Sequence, residues 1–444
     1  MFENARRFRR SFRVARTGAR IYLGYKLTQR RVRKYDPEAA AAAWERQHEQ
    51  AAERMYRLAV DLKGLYVKMG QFIGTRSDLV PPPYTRSLSR LQDRVPPRPA
   101  AIIRETIEQE LGRPVTELFA TFDNRALGAA SLAQVHRATL LGGREVVVKV
   151  QYPEIGGLVK LDLRNLRTIV GLVARREPNF DYRSVVNEMA TQVPHELDFE
   201  REAEMMQRVG ANLREIAGVE VPAVIDDHVS RKVLVTEYVH GRRLLGQEHI
   251  DDASIDGPTL AARIAGAYGH QILIDGLFQA DPHPGNILVL PGGGIALLDF
   301  GLTKELPEQI RLSFARLVIA VANRDMPAIL ASFRELGVKT KTEEPGDVFA
   351  LLSLFFDARV AGEDGSTHQR RLGSAFARNP VEAIPGDLVL LGRVVGLLRG
   401  VSASLGTPLS PMQMLRPYAE RALAEAGPAR GANSPVVRES PRAE

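Results

Sequence analysis

The chain has 444 residues, of which 44% are apolar and 25% are charged, so it has ample material for a two-lobed globular fold and is neither disordered nor fibrous. It contains no cysteine, which excludes disulfides, thiolate zinc sites and cysteine nucleophiles. Its nine histidines are scattered without metal-ligand spacing.

Positive charge is concentrated at the N-terminus. Residues 1–35 contain twelve Lys or Arg and one acid, Glu3, and so carry +11, whereas the whole chain carries +7 and the remainder is at −4. Apolar residues are interleaved with these bases, among them Phe2, Phe8, Phe12, Ile21, Tyr22, Leu23 and Tyr25. This composition is typical of an amphipathic helix on anionic lipid. A solvated helix, a disordered basic arm, a nucleic-acid-binding arm and an organellar transit peptide remain alternatives.

We divide the first part of the chain into a basic amphipathic segment at 1–37 and a helical extension at 38–112. The proline clusters at 81–83 and 96–97 should break the extension into pieces. No uninterrupted apolar core follows the basic segment, unlike in a secretory signal. No segment has the roughly 20 apolar residues that a membrane span requires.

A small lobe is predicted from 113 to 238. Residues 134–140 and 145–151 flank a Gly-Gly turn and predict an antiparallel hairpin. Lys149 in its second strand is a candidate phosphate-contacting lysine, although a lysine at a strand end is more often solvated. The loop before the hairpin, 128–131, consists of small residues at the position of a glycine-rich phosphate cover, but alanine is stiffer than glycine.

The end of the small lobe contains a proline and a hinge candidate. Pro194 is expected to begin or kink a helix over 196–210, because proline cannot donate a backbone hydrogen bond within one. Residues 236–238, which include Glu237, have the position of a hinge to a large lobe at 239–425.

Two polar pairs have helical spacing. Lys68 and Gln71 are three residues apart, and Asp198 and Glu202 are four apart, so each pair would lie on one helix face. Spacing alone favours a solvated face or a local ion pair for each.

The most informative pattern combines Asp281, Asn286 five residues later, and Asp299 within an Asp-Phe-Gly sequence thirteen residues beyond that. Two short apolar runs around 291–294 predict a β-hairpin that sets Asn286 and Asp299 at neighbouring ends. Mg²⁺ prefers such hard oxygen ligands beside substrate phosphates, which leaves Asp281 to orient or deprotonate an attacking hydroxyl. An ordinary turn and strand end are the alternative, which the joint order and spacing disfavour.

The large lobe has helical patterns at about 308–323, 326–336, 346–360 and 387–404. No Ala-Pro-Glu motif follows the Asp-Phe-Gly, so the usual platform for peptide substrates is missing from the sequence. Arg393 interrupts the most apolar late segment. The last residues, 426–444, are predicted to be disordered.

These motifs resemble those of the UbiB/AarF family of atypical protein-kinase-like proteins, over about residues 50–425. The diagnostic pieces are 68–71 (the family's Lys-x-Gly-Gln motif), 77–81, 91–93, 128–131, 148–151, 196–203 and 281–301. The resemblance implies an α+β fold: an atypical kinase-like, two-lobed fold with an N-terminal helical extension and a largely helical large lobe.

The same resemblance implies roles for individual residues. Lys149 would contact nucleotide phosphates and pair with Glu202, Asp281 would be the catalytic-loop acid, and Asn286 and Asp299 would bind Mg²⁺. Further nucleotide-site positions would be Gly128, Ala129, Ala130, Ser131 and Glu237, with Lys68, Gln71, Glu196 and Asp198 forming a gate over the site.

Three positions depart from the family pattern. Gly128 stands where the family often has Ala, Gln279 where His is common, and Gly74 where Ser is frequent. None of these departures removes a metal or phosphate ligand. We therefore expect them to affect reaction rate and nucleotide selectivity more than nucleotide binding.

The sequence therefore predicts an ATP- and Mg²⁺-dependent atypical kinase or ATPase, with the resemblance implying a role in ubiquinone-type quinone biosynthesis or lipid metabolism. A catalytically silent nucleotide-binding scaffold is the alternative. Expected partners are a quinone-precursor or lipid ligand, a membrane surface contacted through residues 1–35, and proteins of a biosynthetic complex. Nucleic acid is not expected. We expect a cytoplasmic protein peripheral on the membrane, with organellar targeting left open.

Overall fold

The computed structural model describes residues 2–75, 80–91, 96–177, 182–244, 256–340, 381–383, 385–407 and 410–427. The chain divides into two compact units. The first consists of Met1–Ala211, Glu220–Arg242 and Ala296–Thr303, and the second of Asn212–Val219, Arg243–Ile295 and Lys304–Glu444. The segment that carries Asp299 thus belongs to the first unit, whereas Asp281 and Asn286 belong to the second.

Six helices precede the first sheet. They are α1 (Phe2–Val32), α2 (Pro37–Leu62), α3 (Leu65–Thr75), α4 (Pro82–Leu88), α5 (Ala100–Leu111) and α6 (Val115–Leu118). The carboxylate of Asp36 caps α2 by accepting a hydrogen bond from the Ala39 backbone N–H at 2.8 Å. The predicted helical extension is confirmed, and α4 and α5 begin at or after the two proline clusters because proline tolerates only the first turn of a helix.

One face of α1 is built into the first unit. Val14 is buried, and Ile21 and Tyr25 pack against the same hydrophobic core. The guanidinium of Arg10 donates to both carboxylate oxygens of Asp162, at 2.7 and 2.6 Å, and Asp162 is fully buried. A buried charge must be paired to be tolerated. The basic segment is therefore a packed helix, and the alternative of a disordered arm is wrong.

The first unit contains an antiparallel sheet. The strands of this part of the chain are β1 (Phe119–Ala129), β2 (Ala133–Leu140), β3 (Glu145–Gln151), β4 (Val219–Glu220), β5 (Val233–Glu237) and β6 (Arg242–Arg243). The sheet has the order β1-β2-β3-β5, and its β2–β3 hairpin confirms the prediction. Gly143 closes the turn with a φ of 84°, which glycine adopts without strain.

Strand β1 was not predicted. Its burial follows no strict alternation, and its pairing with β2 contains three register shifts. An edge strand with an exposed polar middle gives little period-2 signal in the sequence.

Among the described residues, three further helices lie wholly or mainly in the first unit: α7 (Ile155–Arg176), α8 (Arg183–Glu196) and α9 (Phe199–Leu213), whose last two residues belong to the second unit. The helix predicted over 196–210 is present as α9, but it begins three residues later than predicted, because the helical conformation is interrupted between Glu196 and Phe199. Pro194 lies inside the last turn of α8, so it begins neither α8 nor α9. Consequently Asp198 does not share a helix face with Glu202 but precedes α9, where its carboxylate accepts from the Arg201 backbone N–H at 3.2 Å.

The second unit is mainly helical. Its helices are α10 (Gly257–Gly269), a π-helical turn (His270–Asp275), α11 (Glu308–Asn323), α12 (Met326–Glu335), α13 (Gly386–Ser404) and α14 (Pro411–Ala426). The remaining strands are β7 (Leu277–Gln279), β8 (Ile287–Val289), β9 (Ile295–Leu297), β10 (Thr303–Glu305), β11 (Lys339–Thr340) and β12 (Val381–Ala383). Of these, β9 and β10 each have residues in both units.

Helix α14 packs against α10 and α11. The helices predicted at 308–323, 326–336 and 387–404 are confirmed. The helix predicted at 346–360 lies outside the described residues, as does all but the start of the tail predicted at 426–444.

Gly74 provides a test of helix packing in the first unit. A Cβ at Gly74 would lie 3.1 Å from the Ser89 backbone nitrogen, because α3 and α4 approach closely there. We expect Gly74→Ala to lower the free energy of unfolding by about 1–3 kcal/mol, the usual cost of overpacking. Gly171 in α7 has open space around its Cα, so Gly171→Ala should raise it by about 0.5–1 kcal/mol. Urea denaturation of both variants measures this, and equal effects would contradict the packing model.

Candidate active site

A buried ion pair lies at the centre of the first unit. Lys149 on β3 donates from its Nζ to Oε1 of Glu202 on α9 at 2.6 Å, and Glu202 is 2% exposed. The alternation of β3 buries Val148 and Val150 in the core, which turns Lys149 to the opposite face of the sheet. The helix–strand pairing expected for a kinase-like small lobe is thus present between these two residues.

A third charge completes this cluster. The carboxylate of Asp299 lies 3.7 Å from Nζ of Lys149 and is 45% exposed, so it is the accessible member. Its Oδ1 also accepts a hydrogen bond from the Gly301 backbone N–H at 3.0 Å. A Cβ at Gly301 would lie 3.3 Å from that oxygen, and glycine therefore allows this close turn.

The three charges shift one another's ionisation. Burial lowers the pKa of Lys149, but the carboxylates of Asp299 and Glu202 outweigh it and raise the pKa to about 12. Burial raises the pKa of Glu202. Burial also acts to raise the pKa of Asp299, but Lys149 and then Lys68 lower it below its ordinary value. The cluster thus holds a cation beside an ionised, accessible carboxylate.

Two of the predicted gate residues meet. Nζ of Lys68 on α3 lies 3.1 Å from Oε2 of Glu196 at the end of α8, and both side chains are partly exposed. Since Lys68 also lowers the pKa of Asp299, this pair lies within electrostatic range of the cluster. Gln71 instead donates to the Leu91 carbonyl at 3.4 Å, and Asp198 caps α9.

The small-residue loop is only partly a loop. Gly128 and Ala129 are paired residues of β1, opposite Val135 and Gln134, so the turn itself begins at Ala130. The Ala130 N–H donates to the Ala133 carbonyl at 2.8 Å, which closes it. Glu237 is the last residue of β5 and its side chain is exposed, as a hinge position allows.

The segment 281–286 of the second unit is a tight, self-bonded turn. The Asp281 carbonyl accepts from the His283 backbone N–H at 2.7 Å and from Nδ2 of Asn286 at 3.2 Å. Nδ1 of His283 accepts from the Gly285 N–H at 3.1 Å, which holds this histidine in the turn between two prolines. These bonds fix the amide of Asn286 through its nitrogen.

Strands β8 and β9 follow this turn, as predicted from the two apolar runs. The connection between them is closed by a hydrogen bond from the Leu290 N–H to the Gly294 carbonyl at 2.8 Å, and Gly292 and Gly293 adopt positive φ angles of 78° and 79°. The hairpin signal in the sequence came from these glycines.

Arg393 is the functional candidate that sequence reasoning missed. Its Nη2 on α13 lies 2.8 Å from Oδ1 of Asp281, and both side chains are partly buried. The signal was present as a single arginine within the apolar run from Leu388 to Leu398, since a charge on a buried helix needs a partner. Asp281 is therefore held by an arginine 112 residues later in the chain.

Gln279, the departure from the family pattern nearest to Asp281, is fully buried. Its Oε1 accepts from the hydroxyl of Tyr268, and its backbone N–H donates to Oε1 of Gln271 at 3.1 Å. The amide of Gln279 thus supports the turn through a buried hydrogen bond that a histidine could make only with a neutral ring nitrogen.

The Lys149–Glu202 pair predicts a pH-dependent stability effect. Lys149→Met leaves Glu202 buried without its partner and should cost about 3 kcal/mol of unfolding free energy at neutral pH. Because the pKa of Glu202 is raised in the folded state, that state binds the extra proton as pH falls from neutral toward the ordinary carboxyl pKa, and the loss should shrink. Denaturation at several pH values measures it.

A double-mutant cycle supplies the control. Glu202→Met added to Lys149→Met should cost less than the sum of the two single changes. Arg86→Met, which breaks an exposed pair with Glu45, should change stability by less than about 1 kcal/mol at every pH. A pH-independent loss in Lys149→Met would contradict the assignment.

The chain is similar to known proteins over most of its length. Residues 90–333 match the ABC1 atypical kinase-like domain. AarF domain-containing protein kinase 1 of Xenopus tropicalis is 31% identical over 423 residues, which cover 91% of this chain and 79% of that protein. The chloroplastic protein ACTIVITY OF BC1 COMPLEX KINASE 8 of Arabidopsis thaliana is 35% identical over 300 residues, covering 66% of this chain and 39% of that one.

A solved structure agrees with the fold. The complex of Rv3197 from Mycobacterium tuberculosis with erythromycin matches with a TM-score of 0.58 at 22% identity, covering 87% of this chain and 98% of that one. The α+β, kinase-like fold implied by the sequence motifs is confirmed. No helix within the described stretches has the length and apolar character needed to cross a bilayer. The chain belongs to the ABC1/AarF family of atypical kinase-like proteins.

Proposed function

We propose that this protein binds Mg-ATP and either hydrolyses it or transfers its γ-phosphate to a small molecule. The observation that carries the proposal is the cluster of Lys149, Glu202 and Asp299, with Nζ of the lysine 2.6 Å from one carboxylate and 3.7 Å from the other. Such a lysine, fixed by a buried acid, can contact nucleotide phosphates as a positioned point charge.

Asp299 and Asn286 each present an oxygen that suits a magnesium ion. Mg²⁺ takes hard oxygen ligands, commonly one or two carboxylates together with substrate phosphates. The accessible carboxylate of Asp299 stays ionised because its pKa is lowered, and the amide of Asn286 is anchored by its nitrogen, which leaves its oxygen for a ligand. When bound, the ion would offset charge that develops on the transferring phosphoryl group.

Asp281 is proposed to orient the attacking hydroxyl or water. Its carboxylate is held by Arg393, and its carbonyl is fixed by His283 and Asn286, so its position is set from two sides. Positioning accounts for most of the catalysis in phosphoryl transfer, which is consistent with a carboxylate that is restrained.

We propose a small molecule or lipid, not a protein, as the acceptor. The sequence after the Asp-Phe-Gly carries no Ala-Pro-Glu motif, and the Lys68–Glu196 pair adds a covering element beside the cluster. The family motifs support a role in ubiquinone-type quinone biosynthesis or lipid metabolism. The acceptor would then be a quinone precursor or a related lipid.

A nucleotide-binding scaffold without catalysis is the second candidate. The Arg393 ion pair offsets the charge of Asp281, the candidate catalytic acid, and the Lys68–Glu196 pair engages the lysine of the gate motif, so each of these groups already has a protein partner. ATP binding without turnover would favour this scaffold.

Asp299→Asn tests the enzyme. Removing the charge should lower Mg²⁺-dependent ATP hydrolysis at least about 100-fold, as loss of a group that stabilises transition-state charge does. The measurement is phosphate release with and without phenolic quinone-precursor analogues and anionic vesicles. Asp227→Asn, at an exposed acid elsewhere in the first unit, should match wild type. Full activity in folded Asp299→Asn would contradict the proposed role of Asp299 as a magnesium ligand.

We further propose that α1 contacts a membrane surface through its exposed face. Its outward apolar residues are Phe8, Phe12, Leu23 and Leu27, which are 72%, 57%, 57% and 52% exposed. At 3.6 residues per turn these four fall within an arc of about 100°. Exposed Arg16 and Arg30 lie within this arc, and exposed Arg13, Arg20 and Arg31 lie beside it, which suits an anionic lipid surface. Of the interleaved residues in the sequence, Ile21 and Tyr25 face the protein core instead.

Vesicle binding tests this face. Changing Phe8, Phe12, Leu23 and Leu27 to Ser should weaken binding to phosphatidylglycerol-containing vesicles at least about tenfold, since each buried side chain contributes on the order of 1–3 kcal/mol. Leu141→Ser with Leu172→Ser, two exposed leucines outside α1, is the matched control and should bind like wild type. Equal sedimentation of both variants with vesicles would refute the membrane face.

A further inference from the structure

A second group of basic side chains lines a cleft of the first unit, whose wall includes Ser131 of the small-residue turn but not Lys149, Glu202 or Asp299. The cleft has a volume of about 1240 Å³ and lies between α1, the α2–α3 turn and the segment before α5. Six cationic side chains line it, and only two carboxylates, those of Asp61 and Glu154, do so.

The partners of these cations leave three charges uncompensated. Arg10 is paired with Asp162, Arg98 with Glu154, and Arg13 lies 4.0 Å from Asp61. The other three cations that line the cleft are Arg9, Arg16 and Lys63, and within the described part of the chain none of them has an ion-pair partner. Like charges held at one cleft repel each other, and a bound anion would offset that repulsion.

The backbone at Lys63 is strained. Lys63 has φ 56° and ψ −162°, a region that is essentially restricted to glycine and costs on the order of 1–3 kcal/mol for other residues. Arg10 holds this turn by donating from Nη1 to the Leu62 carbonyl at 2.7 Å. A lysine kept at a strained position that lines a basic cleft is consistent with a binding role for its side chain.

Contacts lead from the cleft to the small-residue turn of the candidate active site. The guanidinium of Arg98 lies over the ring of Tyr152, 5.3 Å from its centroid, and the Tyr152 hydroxyl donates to the Ala130 carbonyl at 3.1 Å. The Arg98 backbone N–H donates to Oε1 of Gln134 on β2 at 2.7 Å. The Lys63 turn also leads directly into α3, which carries Lys68.

We propose that this cleft is a second anion site, which takes a phosphate monoester or diester from a lipid headgroup or from a soluble phosphate compound. Binding there does not depend on the proposed ATP chemistry. The contacts through Tyr152 and α3 would let an occupied cleft stabilise the turn at Ala130 and the position of Lys68, and this coupling rests on the proposed nucleotide site.

The test uses the full chain with two probes, inorganic pyrophosphate and vesicles of phosphatidylglycerol and phosphatidylcholine. The cleft variant is Arg9→Gln/Arg16→Gln/Lys63→Gln. The control, Arg20→Gln/Arg30→Gln/Arg31→Gln, removes equal charge from exposed positions of α1 outside the cleft. Circular dichroism melting verifies folding, and Arg9→Glu/Arg16→Glu replaces the cleft variant if Lys63→Gln disturbs the strained turn.

We expect calorimetry to show pyrophosphate binding that the cleft variant weakens more than about tenfold and the control changes less than about twofold. Pyrophosphate bound at Lys149 instead would be lost in Lys149→Met and kept in the cleft variant, which would overturn the proposal. Equal weakening in cleft and control variants would also overturn it, because that result indicates nonspecific attraction.

The vesicle arm separates the two sources. Vesicle binding lost only in the cleft variant assigns a lipid headgroup, even when pyrophosphate does not bind, whereas retained vesicle binding with lost pyrophosphate binding assigns a soluble phosphate. If neither probe distinguishes cleft from control, the site does not exist. ATP binding is measured on the same variants to separate the two proposals. If only the cleft proposal is wrong, ATP still binds. If only the nucleotide-site proposal is wrong, pyrophosphate or vesicles still bind at the cleft.

Discussion

The ion pair between Lys149 and Glu202 is the interaction on which the candidate site depends. A buried carboxylate is tolerated only with a partner, so α9 must lie against β3 wherever this sequence folds. The pairing also determines the place of the segment 296–303, because Asp299 lies beside the same lysine and Arg201 on α9 donates to the Thr303 carbonyl at 3.2 Å. One desolvated pair thus organises a strand, a helix and a metal-ligand candidate.

In the second unit, a hydrogen-bonded turn and an ion pair position the candidate site residues. The turn at 281–286 is closed by its own backbone and by His283, and its acid is held by Arg393 from α13. Beneath it Gln279 and Tyr268 form a buried hydrogen bond. Each unit therefore fixes its own polar residues before any ligand is present, and preorganised groups of this kind lose little free energy when a charged substrate binds.

The N-terminal helix combines a structural and a surface role. Its inner face is locked by Arg10 and Asp162, while its outer face presents phenylalanines and arginines to solvent. Its bases line a cleft whose other walls lead to α3 and to the turn at Ala130. A surface or ligand that binds α1 could then influence the position of Lys68 on α3 through packed, hydrogen-bonded contacts and not through a flexible tether.

The sequence by itself determined the local elements and the identity of the polar residues, because proline breaks, Gly-Gly turns and apolar periodicity act over a few residues. It therefore predicted the β2–β3 hairpin and helices α11, α12 and α13 of the second unit. Its motifs, through their resemblance to a known family, implied the Lys149–Glu202 pair. Only the tertiary structure decided that Asp198 caps α9, that α1 buries an Arg10–Asp162 pair, and that Arg393 holds Asp281 from a helix 112 residues away. These three contacts depend on which charged groups meet after folding, and the spacing of residues along the chain does not indicate that.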